Sequence, residues 1–233
     1  MPDHMTAPLV DIVMATKNSA RFLAQAIESI AQQTFKSHRL IVVDANSSDG
    51  SADLARRHPG AEVLSQRGNG FLNAWNEGIQ AGSAPWIAFL DSDDFWTPDK
   101  LSLQMTVVER QPEVEFIFGR VAFLVEPGAH LNGFQQGVLE RSHLNPMPGT
   151  SLVRRQVVER AGCFDQQSQI AGDLEWFANL RERCVVGTVD EVLLHKRIHG
   201  DSLGQVTSRA IFKRELMALL KRRVDARRGA GTA

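Results

Sequence analysis

With 233 residues, 43% of them hydrophobic and 23% charged, the chain has the makeup of an ordinary globular protein built on one core. A formal net charge of −1 gives no case for nucleic-acid binding, which needs a strong basic excess. Two cysteines, Cys163 and Cys184, rule out a disulfide scaffold and fit a reducing compartment, the cytoplasm, and no apolar run nears the roughly 20 residues that span a bilayer.

Residues 1–8 lack the basic start and apolar stretch of a signal peptide and read as a flexible lead-in. Val10-Asp11-Ile12-Val13-Met14 is a short run with β-branched residues that stops at Thr16-Lys17-Asn18, as a buried strand opening into a loop does. Phe22, Ala26, Ile27 and Ile30 then recur at helical spacing. Residues 40–43 read as a second strand ending at Asp44, and 52–57 as a helix. A short third strand falls at 63–64, a helix at 70–81, and a fourth strand at 86–90, which runs straight into Asp91-Ser92-Asp93-Asp94.

Strands alternating with helices imply an α/β domain with a doubly wound, mostly parallel sheet. Ligands of such sheets bind beyond the carboxyl ends of the strands. Three polar clusters (16–18, 44–49 and 91–94) fall at those ends. The second half is less regular. Residues 116–118 and 121–125 read as strand interrupted by Gly119-Arg120, and 128–149 as a Gly/Pro/Asn-rich loop over the site. Residues 153–161 and 174–183 read as helix, and 185–194 as extended chain. The basic stretch 208–228 reads as an amphipathic helix that packs on the core or on a second subunit as a homodimer; peripheral contact with an anionic membrane is its alternative.

Asp91, Asp93 and Asp94 put three carboxylates within four positions, and their repulsion asks for a cation or for solvent. An all-oxygen donor set on a loop suits Mg²⁺ or Mn²⁺. The competing reading is a solvated turn in which Asp94 caps a helix. Gly68-Asn69-Gly70 has the look of a phosphate-cradling turn before a helix, without the Gly-Lys-Ser/Thr of a P-loop.

Taken in order, these segments resemble an inverting family 2 glycosyltransferase of the GT-A fold. The resemblance spans 10–203 and rests on Ile12-Val13-Met14-Ala15-Thr16-Lys17-Asn18, Val42-Val43-Asp44-Ala45-Asn46-Ser47-Ser48-Asp49 and Phe89-Leu90-Asp91-Ser92-Asp93-Asp94. It continues through Ala161-Gly162-Cys163-Phe164-Asp165, Gly172-Asp173-Leu174-Glu175-Trp176 and Arg197-Ile198-His199. It implies a single domain over 9–204, with a nucleotide-sugar half (9–100) and an acceptor half (101–204), followed by a basic helix and tail at 205–233. It also implies a nucleotide-sugar donor, with a UDP-sugar as the family default, and a sugar, lipid-linked or other hydroxyl acceptor.

The implied metal ligands for Mn²⁺ or Mg²⁺ are Asp91, Asp93 and His199, and the implied general base is Asp173. The donor contacts would be Ala15, Thr16, Lys17, Asn18, Asp44, Asn46, Arg67, Gly70, Asn73, Asn76, Asp91, Ser92 and Arg197. A helix cap is the competing role for Asp173, and a surface turn the competing setting for His199. On an alternating strand Arg197 and His199 share a face, and only one face of that strand points inward.

Four positions depart from the family pattern. Lys17 stands where an aromatic residue often stacks on the base, and Ala45 where an aspartate often reads its edge. Trp75 replaces a frequent arginine and Gly172 a frequent glutamate. The alternative functions are a sugar-phosphate nucleotidyltransferase, against which the absence of a Gly-rich basic loop at 15–21 counts, and a non-catalytic nucleotide-sugar-binding protein.

Overall fold

A computed structural model describes residues 7–129, 136–165 and 172–200, together with the isolated positions 217 and 221. Four parallel strands, β1 (Val10–Thr16), β2 (His38–Asp44), β3 (Ala61–Ser65) and β4 (Trp86–Phe89), alternate with helices α1 (Ala20–Ala31), α2 (Ser51–Arg56) and α3 (Phe71–Ala81). The chain continues through β5 (Phe95–Trp96), α4 (Lys100–Arg110), β6 (Phe116–Val125), α5 (Gln136–Leu139), β7 (His143–Leu144), β8 (Leu152–Arg154), α6 (Arg155–Ala161), α7 (Gly172–Arg183) and β9 (Val186–Ile198). The strands lie in the order β3-β2-β1-β4-β8-β6-β9-β5, with β7 on β6.

The apolar pattern of β1 explains its central place. Val10, Ile12 and Met14 pack with Leu23, Ala26, Ile27 and Ile30 of α1 and with Leu101 and Met105 of α4. Val13 points the other way, into Leu72, Trp75 and Ile79 of α3, Val157 and Val158 of α6, and Phe177 and Leu180 of α7. A strand apolar on both faces is stable only when helices cover both faces. Glycine permits one of these contacts: a Cβ on Gly78 of α3 would lie 2.4 Å from Val13 Cγ1.

Strand direction decides where the chemistry gathers. β8 is antiparallel to both β4 and β6, and β9 is parallel to β6, so β9 runs the same way as β1, β2 and β4. The carboxyl ends of all four strands therefore share one edge of the sheet. Between β1 and β4 the chain reverses its direction of travel across the sheet, and crevices form at such points. At the opposite edge Asp11, fully buried, accepts hydrogen bonds from Arg39 Nη2 (2.8 Å), Arg155 Nη2 (2.7 Å) and the Ala84 amide (2.7 Å).

The second half corrects several expectations. Gly119-Arg120 does not break the strand; β6 passes through as one strand with irregular register beside Arg120. Val153 belongs to β8, wedged between β4 and β6, and the helix starts two residues later. Residues 136–149 are not bare loop: β7 pairs with β6, and His143 Nε2 lies 2.6 Å from the Val138 carbonyl. Asp94 caps no helix, since β5 follows it directly. The reading of 205–233 as a basic helix lies almost wholly outside the described residues. Among those described, no helix is long and apolar enough to cross a membrane.

Candidate active site

The three polar clusters of the first half meet at the shared edge and are tied together. The Asn18 amide donates to Ser47 Oγ (2.9 Å), and Asn18 Oδ1 accepts from the Ser48 amide (2.9 Å). Asp49 accepts from the Ala20 amide at the start of α1, and Ser92 Oγ reaches Ser19 Oγ at 2.8 Å. Asn18 (φ 50°) and Asn46 (φ 56°) both adopt the left-handed region, where asparagine is the best tolerated side chain after glycine. Such locally strained loops cluster at ligand sites.

Thr16 and Asp44 end β1 and β2 directly opposite each other. Both are buried, and the Asp44 carboxylate uses Oδ2 to accept from the Ser47 amide (3.0 Å). Among the described residues, Thr16 Oγ1 and Asp44 Oδ1 have no hydrogen-bond partner. Buried polar atoms left unpaired are costly, and two together at a strand-end crevice indicate a ligand that completes them. Ala15 is half-buried and packs beside Val43 and Ala74, and Lys17 is exposed.

The turn at 68–70 differs from the expected phosphate cradle. The Glu77 carboxylate accepts from the amides of Arg67 (3.0 Å) and Gly68 (3.0 Å) and from Asn73 Nδ2 (2.6 Å). Those donors already serve an anion of the protein itself, and the Gly70 carbonyl accepts from Gln66. Asn76 is also committed. Its Nδ2 donates to the Phe164 carbonyl (2.9 Å) and its Oδ1 accepts from the Phe164 amide (3.0 Å). Asn73 and Asn76 thus hold protein segments, where the sequence suggested donor contacts.

Asn76 fixes the segment around Phe164. Trp176 stacks on Phe164 with ring centroids 4.4 Å apart, and its Nε1 donates to the Gly162 carbonyl (2.9 Å). Asp173 stands one turn before Trp176, half-buried in the first turn of α7. It lies inside the helix, as its second residue, rather than at the capping position before it.

Asp91, Asp93 and Asp94 each present a carboxylate oxygen, and these three oxygens lie within 4.8 Å of one another. His199 Nε2 sits 3.0 Å from Asp93 Oδ2. An all-oxygen set with an adjoining imidazole fits Mg²⁺ or Mn²⁺. Burial pushes the Asp94 carboxyl up to about 7, against the pull of Lys196, and raises Asp91 in the same way. Burial opposes the charge on Lys196, yet Asp94, Asp91 and Asp93 together hold its ammonium above the ordinary lysine range.

Arg197 braces this loop. Its backbone amide donates to Asp94 Oδ1 (2.8 Å), its Nε to the Asp93 carbonyl (2.8 Å), and its Nη atoms to Glu126 and Gln25. Its guanidinium also lies over the Phe22 ring. Every guanidinium nitrogen therefore has an acceptor already, and the side chain positions Asp93 from behind.

Lys196 is what the alternation rule missed. Its Nζ reaches Asp94 Oδ2 (3.1 Å) and Asp91 Oδ2 (3.3 Å), although its neighbours Arg197 and His195 face the other side. Both faces of β9 are used because β5 pairs with its end, Phe95 opposite His195, and this pairing wraps the 91–94 loop around the strand. The one signal in the sequence was a lysine beside Arg197.

The family profile described as "Glycosyl transferase family 2" matches residues 11–160. This chain belongs to glycosyl transferase family 2. An uncharacterised glycosyltransferase of Methanocaldococcus jannaschii is 30% identical over 215 residues, covering 85% of this chain and 73% of that protein. One of Rickettsia bellii is 24% identical over 83% of this chain, which spans 29% of that protein's length. Among solved structures, S. aureus TarS 1–349 in complex with UDP-GlcNAc aligns at TM-score 0.70 and 15% identity, covering 85% of this chain and 61% of that one. Mannosyltransferase PcManGT from Pyrobaculum calidifontis, in complex with GDP-Man and Mn²⁺, aligns at TM-score 0.68 and 19% identity, covering 97% and 66%. These likenesses establish the GT-A fold.

Proposed function

We propose that this family 2 chain transfers a sugar from a nucleoside-diphosphate sugar to an acceptor hydroxyl, with inversion at the anomeric carbon. One observation carries the reading. The unpaired buried Thr16 Oγ1 and Asp44 Oδ1 lie at the same sheet edge as the Asp91–Asp93–Asp94 carboxylates. A ligand with a polar base or ribose at one end and a metal-binding diphosphate at the other suits both.

In this reading Thr16, Asp44 and Asn46 receive the nucleoside, with Ala15, Lys17 and Asn18 lining its loop. Asp91 and Ser92 border the sugar and diphosphate, and Gly70 and Arg67 lie at the rim. Asp91 and Asp93, with His199 on Asp93, would hold Mn²⁺ or Mg²⁺, which when bound neutralises charge growing on the diphosphate leaving group. Arg197 keeps Asp93 in register. Asp173 takes the proton of the attacking hydroxyl, so it must stand apart from the metal carboxylates, as its place on α7 allows. Attack from the face opposite the diphosphate inverts the anomeric centre.

Nucleotides described for the structural neighbours include UDP-GlcNAc and GDP-Man, and UDP is the default expectation here. A melting screen of nucleoside diphosphates and nucleotide sugars, with and without Mn²⁺, tests the reading. Saturation at 100 times Kd adds about 2.7 kcal/mol of stability. Donor hydrolysis or transfer then separates an enzyme from a binding protein. No shift with any nucleotide sugar in the presence of Mn²⁺ refutes the donor assignment.

A further inference from the structure

Lys196 has no role in the scheme above, yet it bridges two of the three clustered carboxylates. Its ammonium donates to Asp94 at 3.1 Å and to Asp91 at 3.3 Å. The three carboxylate oxygens that would face an ion span no more than 4.8 Å, space for one cation rather than two. Mg²⁺, for example, draws its oxygens to about 2.0–2.1 Å. Lys196 holds Asp91 Oδ2, on a carboxylate assigned to the ion, as well as the Asp94 oxygen not taken by the Arg197 amide, so an incoming ion and the ammonium compete for the same carboxylate cluster.

Displacement is open to this side chain. Its flexible four-carbon stem leaves it about a third exposed, whereas Arg197 beside it is pinned at every guanidinium nitrogen. A positive charge at this place relieves the mutual repulsion of the clustered carboxylates.

We propose that Lys196 takes the place of the divalent ion in the metal-free protein, so that metal loading exchanges one cation for another and Lys196 sets the metal affinity. The proposal rests on the reading of 91–94 as the metal segment.

The test titrates Mn²⁺ into the full chain and follows free Mn²⁺ by electron paramagnetic resonance, without donor or acceptor. Lys196→Met removes the competing charge. Lys196→Gln removes it while keeping a donor for both carboxylates, and so serves if the Met variant does not fold. Lys36→Met, exposed in the loop between α1 and β2, is the control. Removing a like charge at this range should tighten Mn²⁺ binding by about tenfold or more. Mn²⁺ should also raise the melting temperature of the Lys196 variants more than that of the unmodified chain, and the control should match the unmodified chain. Equal or weaker binding by the Lys196 variants, with clear binding by the unmodified chain, overturns the proposal alone. Mn²⁺ binding by none of these proteins overturns it together with the metal reading.

Discussion

His199 Nε2 lies 3.0 Å from Asp93 Oδ2, a contact between residues 106 positions apart in the chain. It joins the end of β9 to the loop after β4, so the proposed metal site is completed only by both halves of the domain. Asp93→Ala should abolish transfer while the protein stays folded. His199→Ala should weaken Mn²⁺ binding by about 10- to 100-fold, as loss of a supporting partner does. Full transfer in excess chelator would remove the metal from the chemistry.

Asp173 is tested by a substitution that keeps its shape. Asp173→Asn should slow transfer by about 10² to 10⁴ with donor affinity nearly unchanged, because the variant cannot accept the proton. Measurement of kcat alongside nucleotide affinity separates this from a structural role. Near-normal turnover would shift the assignment to Asp165 or Glu175.

Thr16→Val should act in opposite directions on the free and the loaded protein. Removing a buried hydroxyl that lacks a partner should stabilise the free protein by about 1 kcal/mol. The same change should weaken nucleotide binding by about fivefold, the equivalent of about 1 kcal/mol. Melting curves with and without nucleoside diphosphate read both. Loss of stability with no change in affinity would mean that the hydroxyl serves the fold.

Asp11 anchors two arginines at the edge away from the site. Asp11→Ala should cost about 3–5 kcal/mol, because it strands two guanidinium groups around a buried void. Denaturant unfolding should show this at constant m value, and a loss below 1 kcal/mol would show that the pair is solvated.

Lys100 gives a pH signature. Its ammonium is fully buried, donates to Gln104 Oε1 (2.8 Å) and the Ser151 carbonyl (3.3 Å) and sits 4.0 Å above the Trp96 ring, with no carboxylate among its hydrogen-bond partners in the described residues. Burial holds its pKa well below 10.5. Between that lowered value and 10.5 the unfolded chain therefore binds more protons than the folded one, so stability rises with pH across the window. The stability of the unmodified chain relative to Lys100→Met should climb by about 1.4 kcal/mol per pH unit there. A difference that does not vary with pH would contradict a depressed lysine.

Much of the first half of the fold was legible because its signals are local. Val10 to Met14 and Leu40 to Val43 are apolar runs of strand length that end in polar residues, and the parallel sheet follows from the helices between them. The site was legible as clusters at strand ends. What stayed hidden depends on distant pairing. β5 has two residues and no periodicity of its own; it exists because β9 returns beside it. Asn76 has the residue type of a ligand contact, and only its bonds to Phe164, 88 positions away, show it holding that segment. Lys196 escaped because the alternation rule leaves one face of the strand outward, whereas the 91–94 loop covers that face as well.

The pairing of β5 with β9 also fixes when the site can arise during synthesis. The 91–94 loop leaves the ribosome about a hundred residues before its brace, and until Arg197 and His199 emerge it lacks the amide on Asp94 and the imidazole on Asp93. A nascent or truncated chain ending before β9 would carry the three carboxylates without the Arg197 and His199 contacts that hold Asp94 and Asp93. Such a fragment should be unable to gather a nucleotide sugar, however well its first four strands have formed. On the proposed reading, unfinished copies of the protein would lack the support that its metal segment needs.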